Sequence, residues 1–384
     1  MPIANVAPKR VLVVQRRLTH YRVPFFEVLR ADLQSAGLEL RLACGEAAPD
    51  EVSKRDRGEL PWAVQLPTRY FLGGRVCWQP FGSLARDAAV TVITAENKLV
   101  YNLVEQFGAG SRRVMLWGHG GNLQGRRDSL RERFKARVAL RADWWLAYTA
   151  LSRDLVLQSG FPAERISVLE NAVDTTELRT QIDAITPEAR TAGRAALGIG
   201  PGPVGIYVGS LYAEKRVDFL LAAARDIRAQ LPSFELLVVG GGPQESLVAD
   251  AAAREPWIKV LGVLRGPDKA LALALADVYL HPGAIGLAVQ DAFVAGVPLV
   301  TTRLATHGPE IAYLDSGRNG VMTDNDLDAY VRASVALLTN GRLHAAMRAE
   351  CVVDGQRYTL QNMSQRFTEG VLGALRMPIR RGQA

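Results

Sequence analysis

Residues 277–302, DVYLHPGAIGLAVQDAFVAGVPLVTT, decide the fold of this chain. The pattern predicts a buried parallel strand at Val278–Leu280, a glycine-rich turn, a helix over residues 286–295 and a further strand at 297–300. The helix is apolar on nearly every face, so we expect it to be buried. Its amino end opens from the glycine turn, where unpaired N–H groups and the positive end of the helix dipole favour an anion, most often a phosphate.

Asp291 is one of only two polar residues in this helix. A carboxylate in an apolar setting needs hydrogen-bonding partners, and the vicinal hydroxyls of a sugar would provide them. The alternative is an ordinary core helix with Asp291 facing solvent, because glycine-to-helix turns are common in α/β proteins.

The length and composition fit a two-domain globular protein. The chain has 384 residues, of which 48% are hydrophobic and 22% charged. Its three cysteines, Cys44, Cys77 and Cys351, lack metal-ligand spacing and fit a reducing compartment. No stretch approaches about 18 consecutive apolar residues, and the first ten residues lack the apolar core of a signal peptide. We therefore expect a cytoplasmic protein.

The net charge of +7 is concentrated in the first half of the chain, and residues 112–141 are rich in arginine. Leu130, Phe134, Val138 and Ala142 are spaced four apart, which predicts one apolar stripe on a basic helix. Such a helix can bind an anionic membrane surface. Equally, it can be a solvated helix whose arginine stems cover core.

Apolar runs alternate with helical patterns along most of the sequence, which predicts parallel sheets with helices on both faces. We predict a first domain over residues 1–175, an interdomain connection at 176–203, a second domain over 204–356 and a terminal helical segment at 357–384. Two doubly wound domains would place the carboxyl ends of both sheets around one cleft, where ligands bind. The polar and glycine-rich segments fall at such strand ends: 15–22, 96–97, 118–121, 209–215, 240–243 and 281–286.

The second domain carries a series of short motifs in a fixed order. The first is Gly209-Ser-Leu-Tyr-Ala-Glu-Lys215-Arg216, in which a glycine turn and a lysine at a helix start can hold a diphosphate. A capped helix with a solvated lysine is the alternative. The others are Glu170-Asn-Ala-Val-Asp174, Gly240-Gly-Gly-Pro243, Asp277-Val-Tyr-Leu-His-Pro282, Gly286-Leu287, Asp291-Ala292, Gly296-Val-Pro298, Gly308-Pro-Glu310 and Asn319-Gly320.

Together these motifs, over about residues 165–325, resemble the C-terminal domain of family 4 glycosyltransferases. The resemblance implies an α/β chain of the GT-B fold, with two doubly wound Rossmann-like domains facing a central cleft. It also implies that the terminal helix crosses back onto the N-terminal domain, and that this domain binds the acceptor.

The resemblance places the family's phosphate-binding lysine at Lys215 and the acid that holds the nucleotide ribose at Asp291. The family's first acid is Gly283 here, and the arginine of its lysine motif is Ser210. Glu310 can take over a sugar contact or serve as a core residue. The implied donor-binding residues are Gly209, Ser210, Lys215, Arg216, Gly242, Gly283, Gly286, Leu287, Ala288, Asp291 and Glu310.

In the N-terminal domain, His119 within WGHGG matches the family's histidine at the end of a middle strand. It is a candidate catalytic residue together with Lys215, and a purely structural histidine is the alternative. The candidate acceptor-binding residues are Arg17, Tyr21, Glu96, Asn97, Gly120 and Asn122.

The function implied is transfer of a hexose-type sugar from a UDP- or GDP-linked donor to an acceptor hydroxyl, with retention of anomeric configuration. We expect a lipid-linked or polysaccharide acceptor of envelope glycan synthesis, an anionic membrane partner, and neither a cofactor nor a metal. One alternative is a nucleotide-sugar epimerase of GT-B shape. Another is a non-catalytic nucleotide- or nucleic-acid-binding protein, although we expect no nucleic acid partner. A dinucleotide dehydrogenase is excluded by the absence of GxGxxG after the first strand.

Overall fold

The computed structural model describes residues 8–54, 56–96, 98–121, 137–304 and 306–380. The chain divides into two compact units. The first comprises Met1–Asp174 together with Leu360–Ala384, and the second comprises Thr175–Thr359. Among the described residues, no helix is both long enough and apolar enough to cross a bilayer.

The first unit is built on a parallel sheet. Its strands are β1 (Lys9–Gln15), β2 (Leu38–Cys44), β3 (Val64–Gln65), β4 (Arg69–Phe71), β5 (Val76–Trp78), β6 (Val90–Thr94), β7 (Arg113–Gly118), β8 (Trp144–Ala147) and β9 (Ile166–Val168). Seven of them lie in the order β3-β2-β1-β6-β7-β8-β9, and β4 pairs with β5 in a separate antiparallel ribbon. Residues 11–14 of β1 are all buried, as expected of a central strand covered on both faces.

Helices cover the faces of this first sheet. They are α1 (Val23–Ser35), α2 (Gly82–Arg86), α3 (Val100–Gly108), α4 (Ala150–Gln158) and α13 (Leu360–Arg376). The terminal helix α13 packs against α1, and its apolar side contributes Met363, Phe367 and Val371 to the core around Trp117.

The second unit contains a six-stranded parallel sheet. Its strands are β10 (Val204–Val208), β11 (Glu235–Val239), β12 (Ile258–Gly262), β13 (Val278–Leu280), β14 (Leu299–Thr302) and β15 (Gly320–Thr323). They lie in the order β12-β11-β10-β13-β14-β15. The direction of winding reverses between β10 and β13, and the reversal in the first sheet lies between β1 and β6. Ligands of doubly wound sheets bind at such switch points, beyond the carboxyl ends of the strands.

The helices of the second unit include the segment that the sequence predicts as a connection. They are α5 (Thr176–Asp183), α6 (Pro187–Ala196), α7 (Val217–Gln230), α8 (Glu245–Arg254), α9 (Gly266–Ala274), α10 (Ala288–Val294), α11 (Leu327–Thr339) and α12 (Gly341–Arg357). Residues 176–203 were predicted as an interdomain connection, but they contain two helices. They belong to the second unit, where α5 packs on α9. Thr186 caps α6 by accepting the Ala189 N–H, and Pro187 begins the helix.

Candidate functional site

The site of the second unit is formed where the loops after β10 and β13 meet. The loop after β10 runs from Gly209 into α7, and the loop after β13 runs from His281 into α10. The Ala284 N–H donates to the Glu214 carbonyl at 2.8 Å, and the Lys215 ammonium donates to the Ala284 carbonyl. The two loops are therefore joined by hydrogen bonds at the switch point.

A third loop, after β11, closes one side of this site. The Gly209 N–H donates to Val239 at 3.0 Å, and the Leu211 N–H donates to Gly241 at 2.9 Å. Gly240 has a φ of +144°, and a side chain there would overlap with the Gly209 carbonyl. Gly242 has a φ of +149° and lies against the Leu211 backbone. Glycine is required at both positions because the backbones approach so closely.

Lys215 is the cation at the centre of these loops. Its Nζ lies 5.3 Å from the centroid of the Tyr212 ring, and among the described residues no carboxylate forms an ion pair with it. Burial lowers the pKa of Lys215, and the neighbouring Glu214 acts in the opposite direction. A partly buried ammonium held only by a carbonyl and a ring is suited to bind a phosphate oxygen.

Arg216 begins α7 with a left-handed backbone, φ +57°. Its guanidinium lies over the Phe219 ring at 4.1 Å and donates to Asn325 and to the Thr302 hydroxyl. Arg216 thus ties the lysine loop to the end of β14, and it adds positive charge beside Lys215.

Gly283 differs from the acidic residue of the family for a steric reason. A Cβ at this position would overlap with the backbone carbonyls of Glu214 and Lys215. The loop after β13 therefore passes too close to the lysine loop to carry a side chain here.

The turn at Gly286 is held by the segment that follows β14. His307 accepts the Ile285 N–H at Nδ1 (3.2 Å) and donates from Nε2 to the Thr302 carbonyl (2.7 Å), while the Gly308 N–H donates to Ile285 at 2.7 Å. The pKa of His307 is lowered by burial. Its neutral tautomer thus fixes the turn.

Beside this turn lie an acid and unpaired amides. Glu310 is 4% exposed, and one carboxylate oxygen lies 3.5 Å from the position that a Cβ on Gly286 would take. Within the described residues, the amides of Gly286 and Leu287 have no hydrogen-bond acceptor. Ala288 is the first residue of α10, two residues later than predicted.

Asp291 has a partner that the sequence did not indicate. Lys269 of α9 reaches it at 2.8 Å through one carboxylate oxygen. The apolar helix signalled that Asp291 needed a partner, but the partner comes from a different helix. The second carboxylate oxygen has no protein ligand among the described residues, so it can still accept from a hydroxyl.

His281 was not among the site residues predicted from the sequence. It is fully buried between the rings of Tyr207 (5.1 Å) and Tyr279 (6.3 Å), and neither ring nitrogen has a hydrogen bond among the described residues. Burial and the Lys215 charge lower its pKa to about 3, with the nearby Gly283 backbone acting weakly in the opposite direction. A neutral imidazole therefore lies beneath the lysine loop.

The switch point of the first unit has a different character, because its charges pair with one another. Arg16 is 9% exposed and binds both carboxylate oxygens of Glu51, and its Nε donates to Glu96 at 3.0 Å. Arg17 binds both carboxylate oxygens of Asp56. Burial alone would raise the pKa of Glu51, but the bonds from Arg16 and the Ala48 amide bring it down to about 2.

These pairs involve two residues of the predicted acceptor site. Arg17 binds Asp56, and Glu96 accepts from Arg16 through one carboxylate oxygen. Asn97 and Asn122, and the basic stretch at 122–136, lie outside the described residues.

His119 and its neighbours form a separate group at the end of β7. The exposed His119 ring meets the edge of Tyr148 at 4.6 Å, and Gly120 follows with a φ of +79° against the Ser152 carbonyl. Neighbouring protein atoms, which displace part of its water, and the Arg22 charge lower the pKa of His119. The ring is therefore neutral near pH 7, which is the form that accepts a proton.

Arg22 lies within this group and was not singled out from the sequence. Its guanidinium is buried, donates to Asn171 at 2.7 Å and lies over the rings of Tyr21 (5.5 Å) and Trp117 (5.3 Å). No carboxylate pairs with it in the described part of the chain. Arg22 thus provides a positive charge beside His119.

Among the described residues, no cluster of three or more His, Cys, Asp or Glu side chains is placed to hold a metal ion.

Known proteins resemble this chain in sequence and in fold. Residues 202–340 match the family described as Glycosyl transferases group 1. A GDP-mannose-dependent alpha-(1-6)-phosphatidylinositol monomannoside mannosyltransferase of Mycolicibacterium smegmatis is 27% identical over 274 residues, which cover 67% of this chain and 68% of that one. A phosphatidyl-myo-inositol mannosyltransferase of the same organism is 29% identical over 167 residues, and the chain spans less than half of its length.

Among solved structures, Anabaena HepE in complex with UDP superposes with a TM-score of 0.67 and 18% identity, covering 95% of this chain and 99% of that one. At this identity the likeness shows the fold. Residues 202–340 therefore form a group 1 (family 4) glycosyltransferase domain, and the chain is a glycosyltransferase of the GT-B fold with a nucleotide-sugar donor.

Proposed function

We propose that the chain transfers a hexose from a UDP- or GDP-linked donor to a hydroxyl of a lipid-linked or polysaccharide acceptor in envelope glycan synthesis, with retention of anomeric configuration. The observation that carries this proposal is Lys215 at the switch point of the second sheet, an ammonium that forms no ion pair with the described residues. Glycines let the loops around it approach one another backbone to backbone.

The donor is held through its charge and its hydroxyls. Lys215 and the amides of Gly286 and Leu287 bind the diphosphate, and Arg216 adds to the positive potential. Because negative charge grows on the departing phosphate during transfer, fixed donors there stabilise the transition state. Asp291 accepts from the ribose through its second oxygen, and Glu310 accepts from the donor sugar, since Gly283 offers no side chain.

The acceptor is bound by the first unit. The neutral His119 can accept a hydrogen bond from the attacking hydroxyl. The Arg22 guanidinium, which lacks a carboxylate partner, supports an acceptor that carries a phosphate. The mycobacterial relatives are named for acceptors built on phosphatidylinositol, which agrees with this choice. The basic stretch within 112–141 is proposed to bring the enzyme to an anionic membrane surface.

The proposal is tested by incubating the purified chain with UDP- and GDP-hexoses and a lipid extract, and analysing the products by mass spectrometry. We expect one donor to be consumed with a hexose added to a lipid. Lys259→Ala, in β12, should transfer at the wild-type rate and serve as a control for Lys215→Ala. Formation of an epimerised free nucleotide sugar, or no turnover with any donor, would contradict the proposal.

The ribose assignment for Asp291 has its own test, by calorimetry. Asp291→Asn should weaken the nucleoside diphosphate and the whole donor equally, by roughly tenfold, as expected for one hydrogen bond to a charged group. A 2′,3′-dideoxyribose analogue should bind the variant and the wild type alike. Lys269→Met removes the ion pair but keeps the carboxylate. If it reproduces the full loss, Asp291 acts through Lys269 and not on the ribose.

A further inference from the structure

A cavity of about 360 Å³ lies at the amino ends of the strands of the second sheet, opposite the donor site. Four basic side chains line it: Arg190, Arg194, His344 and Arg348. The acid in its lining is Asp277, which directly precedes β13. The cavity lies within one unit, and neither the family resemblance nor the proposed function involves it.

Arg190 and Arg194 stand four residues apart on α6, so they share one helix face. Arg190 donates to the Ala274 carbonyl at the end of α9, and Arg194 donates to Gly200 and to Gly202 (2.7 Å). A guanidinium has five N–H donors, so each retains donors for a further ligand.

Arg348 of α12 has neither a hydrogen bond nor an ion pair within the described residues, although it is partly buried. Burial lowers its pKa, Asp277 opposes that effect, and Arg190 adds to it. Asp277 itself is already engaged, since its carboxylate accepts the Val204 N–H at 2.8 Å and its carbonyl accepts from His344 at 2.7 Å.

Three guanidinium groups thus surround one cavity with a single carboxylate between them. Like charges held this close in a partly desolvated place repel one another, and a bound anion relieves that repulsion. Guanidinium groups also match the oxygens of phosphate in pairs. We propose that this cavity is a second anion site, which binds a phosphate-bearing ligand, either a free phosphate compound or a lipid headgroup.

The position of the cavity links it to the donor site. Asp277 and the three residues of β13 lead directly to His281, and α12 packs against α10, which carries Asp291. A ligand in the cavity therefore lies beside β13 and α12. The first leads to the donor loop, and the second packs on the helix that carries Asp291.

The test is a calorimetric titration of the full chain with inorganic pyrophosphate. Every variant also carries Lys215→Ala. Because this substitution weakens the donor site, the pyrophosphate binding that remains reports on the cavity. Arg348→Gln and Arg190→Gln should each weaken this remaining binding at least tenfold. Arg342→Gln, on the exposed first turn of α12, is the matched control and should leave it unchanged. Since Arg348 has no hydrogen bond or ion pair in the part of the chain that the structure describes, its variant should melt at the wild-type temperature or above.

Binding of pyrophosphate that survives both Arg348→Gln and Arg190→Gln would overturn the proposal, as would a complete absence of binding in the Lys215→Ala background. Sedimentation with phosphatidylcholine vesicles containing phosphatidic acid then distinguishes the two sources. Capture of the wild type and Arg342→Gln, but not of Arg348→Gln, identifies a lipid headgroup. Equal capture of all three, with the calorimetric loss intact, identifies a free phosphate compound.

Discussion

The two sheets have the same winding, yet their switch points are occupied by opposite kinds of residue. In the first unit, Arg16 and Arg17 meet Glu51, Asp56 and Glu96, and every one of these charges is paired. In the second unit, glycines line the loops, and Lys215 stands without an acid. Topology therefore offers two ligand positions, and we propose that the diphosphate takes the second because its lysine has no ion pair among the described residues.

The comparison also separates stability from function. Paired buried charges fix a loop, because removing either partner leaves the other desolvated. An unpaired ammonium does not stabilise its loop, since burial disfavours its charged form. A bound anion removes that penalty. We therefore expect substitutions at the first switch point to change the free energy of unfolding, and substitutions at the second to change donor binding.

The largest expected effect is on stability at the first switch point. Glu51→Gln removes the charge that binds Arg16 through two oxygens and leaves Glu96 as its acidic partner, so it should lower the free energy of unfolding by about 1.5–3 kcal/mol. Urea denaturation followed by circular dichroism measures it. Arg225→Gln, which breaks an exposed pair with Glu255, is the control and should cost less than about 1 kcal/mol. A Glu51→Gln value as small as the control would mean that the first network is not structural.

The next effect concerns the place where the sequence departs from its family. Gly283→Glu restores the family's acid, but its Cβ overlaps with the backbone of the lysine loop. We expect it to lower the free energy of unfolding by about 1–3 kcal/mol, as overpacking does, and to abolish measurable donor binding. Gly341→Glu, at a glycine with open space around it, should do neither. A more active Gly283→Glu enzyme would show that the loop can open.

A smaller effect is the dependence of stability on pH. The folded pKa of His281, about 3, lies below the ordinary value of 6.5, so the unfolded chain binds more protons between these values. The stability from the neutral ring is complete above about pH 6.5 and is lost as the pH falls toward 3. At pH 5 the loss from this residue should be about 2 kcal/mol.

Denaturation at pH 7 and pH 5 checks this expectation. His281→Phe should show a distinctly smaller loss than the wild type, while His20→Phe, at an exposed position of the first unit, should match the wild type. Identical pH dependence of His281→Phe and the wild type would contradict the assignment.

Much of the second unit was predictable because its signals are local. Val278–Leu280 is an apolar run between a helix and a glycine turn, and the loop at Gly209–Lys215 carries its own lysine, so both loops were predicted at the carboxyl ends of strands. Residues 176–203 were predicted as a connection because threonine, glycine and proline obscure two helices, of which α6 has a side-chain cap and α5 does not. The terminal helix begins at Leu360, three residues after its predicted start at 357.

The partners of the site residues could not be predicted, because they come from distant parts of the chain. Arg16 meets Glu51 and Glu96, 35 and 80 residues away, and Asp291 meets Lys269 from the preceding helix. The contacts of Arg17 with Asp56 and of Glu96 with Arg16 were not predicted for the same reason. His281 stood within the stretch that decides the fold, but its burial between two tyrosines depends on packing across the sheet.

The central claim is that the diphosphate binds at the switch point of the second unit. Calorimetric titration of UDP and GDP into the wild type, Lys215→Ala and Glu51→Gln tests it most directly, at a temperature where all three are folded. Lys215→Ala should weaken the nucleotide by roughly 10- to 150-fold, the equivalent of about 1.5–3 kcal/mol for a charged hydrogen bond, and should melt no lower than the wild type. Glu51→Gln should bind as the wild type does. Unchanged affinity in Lys215→Ala, or a loss confined to Glu51→Gln, would contradict the account.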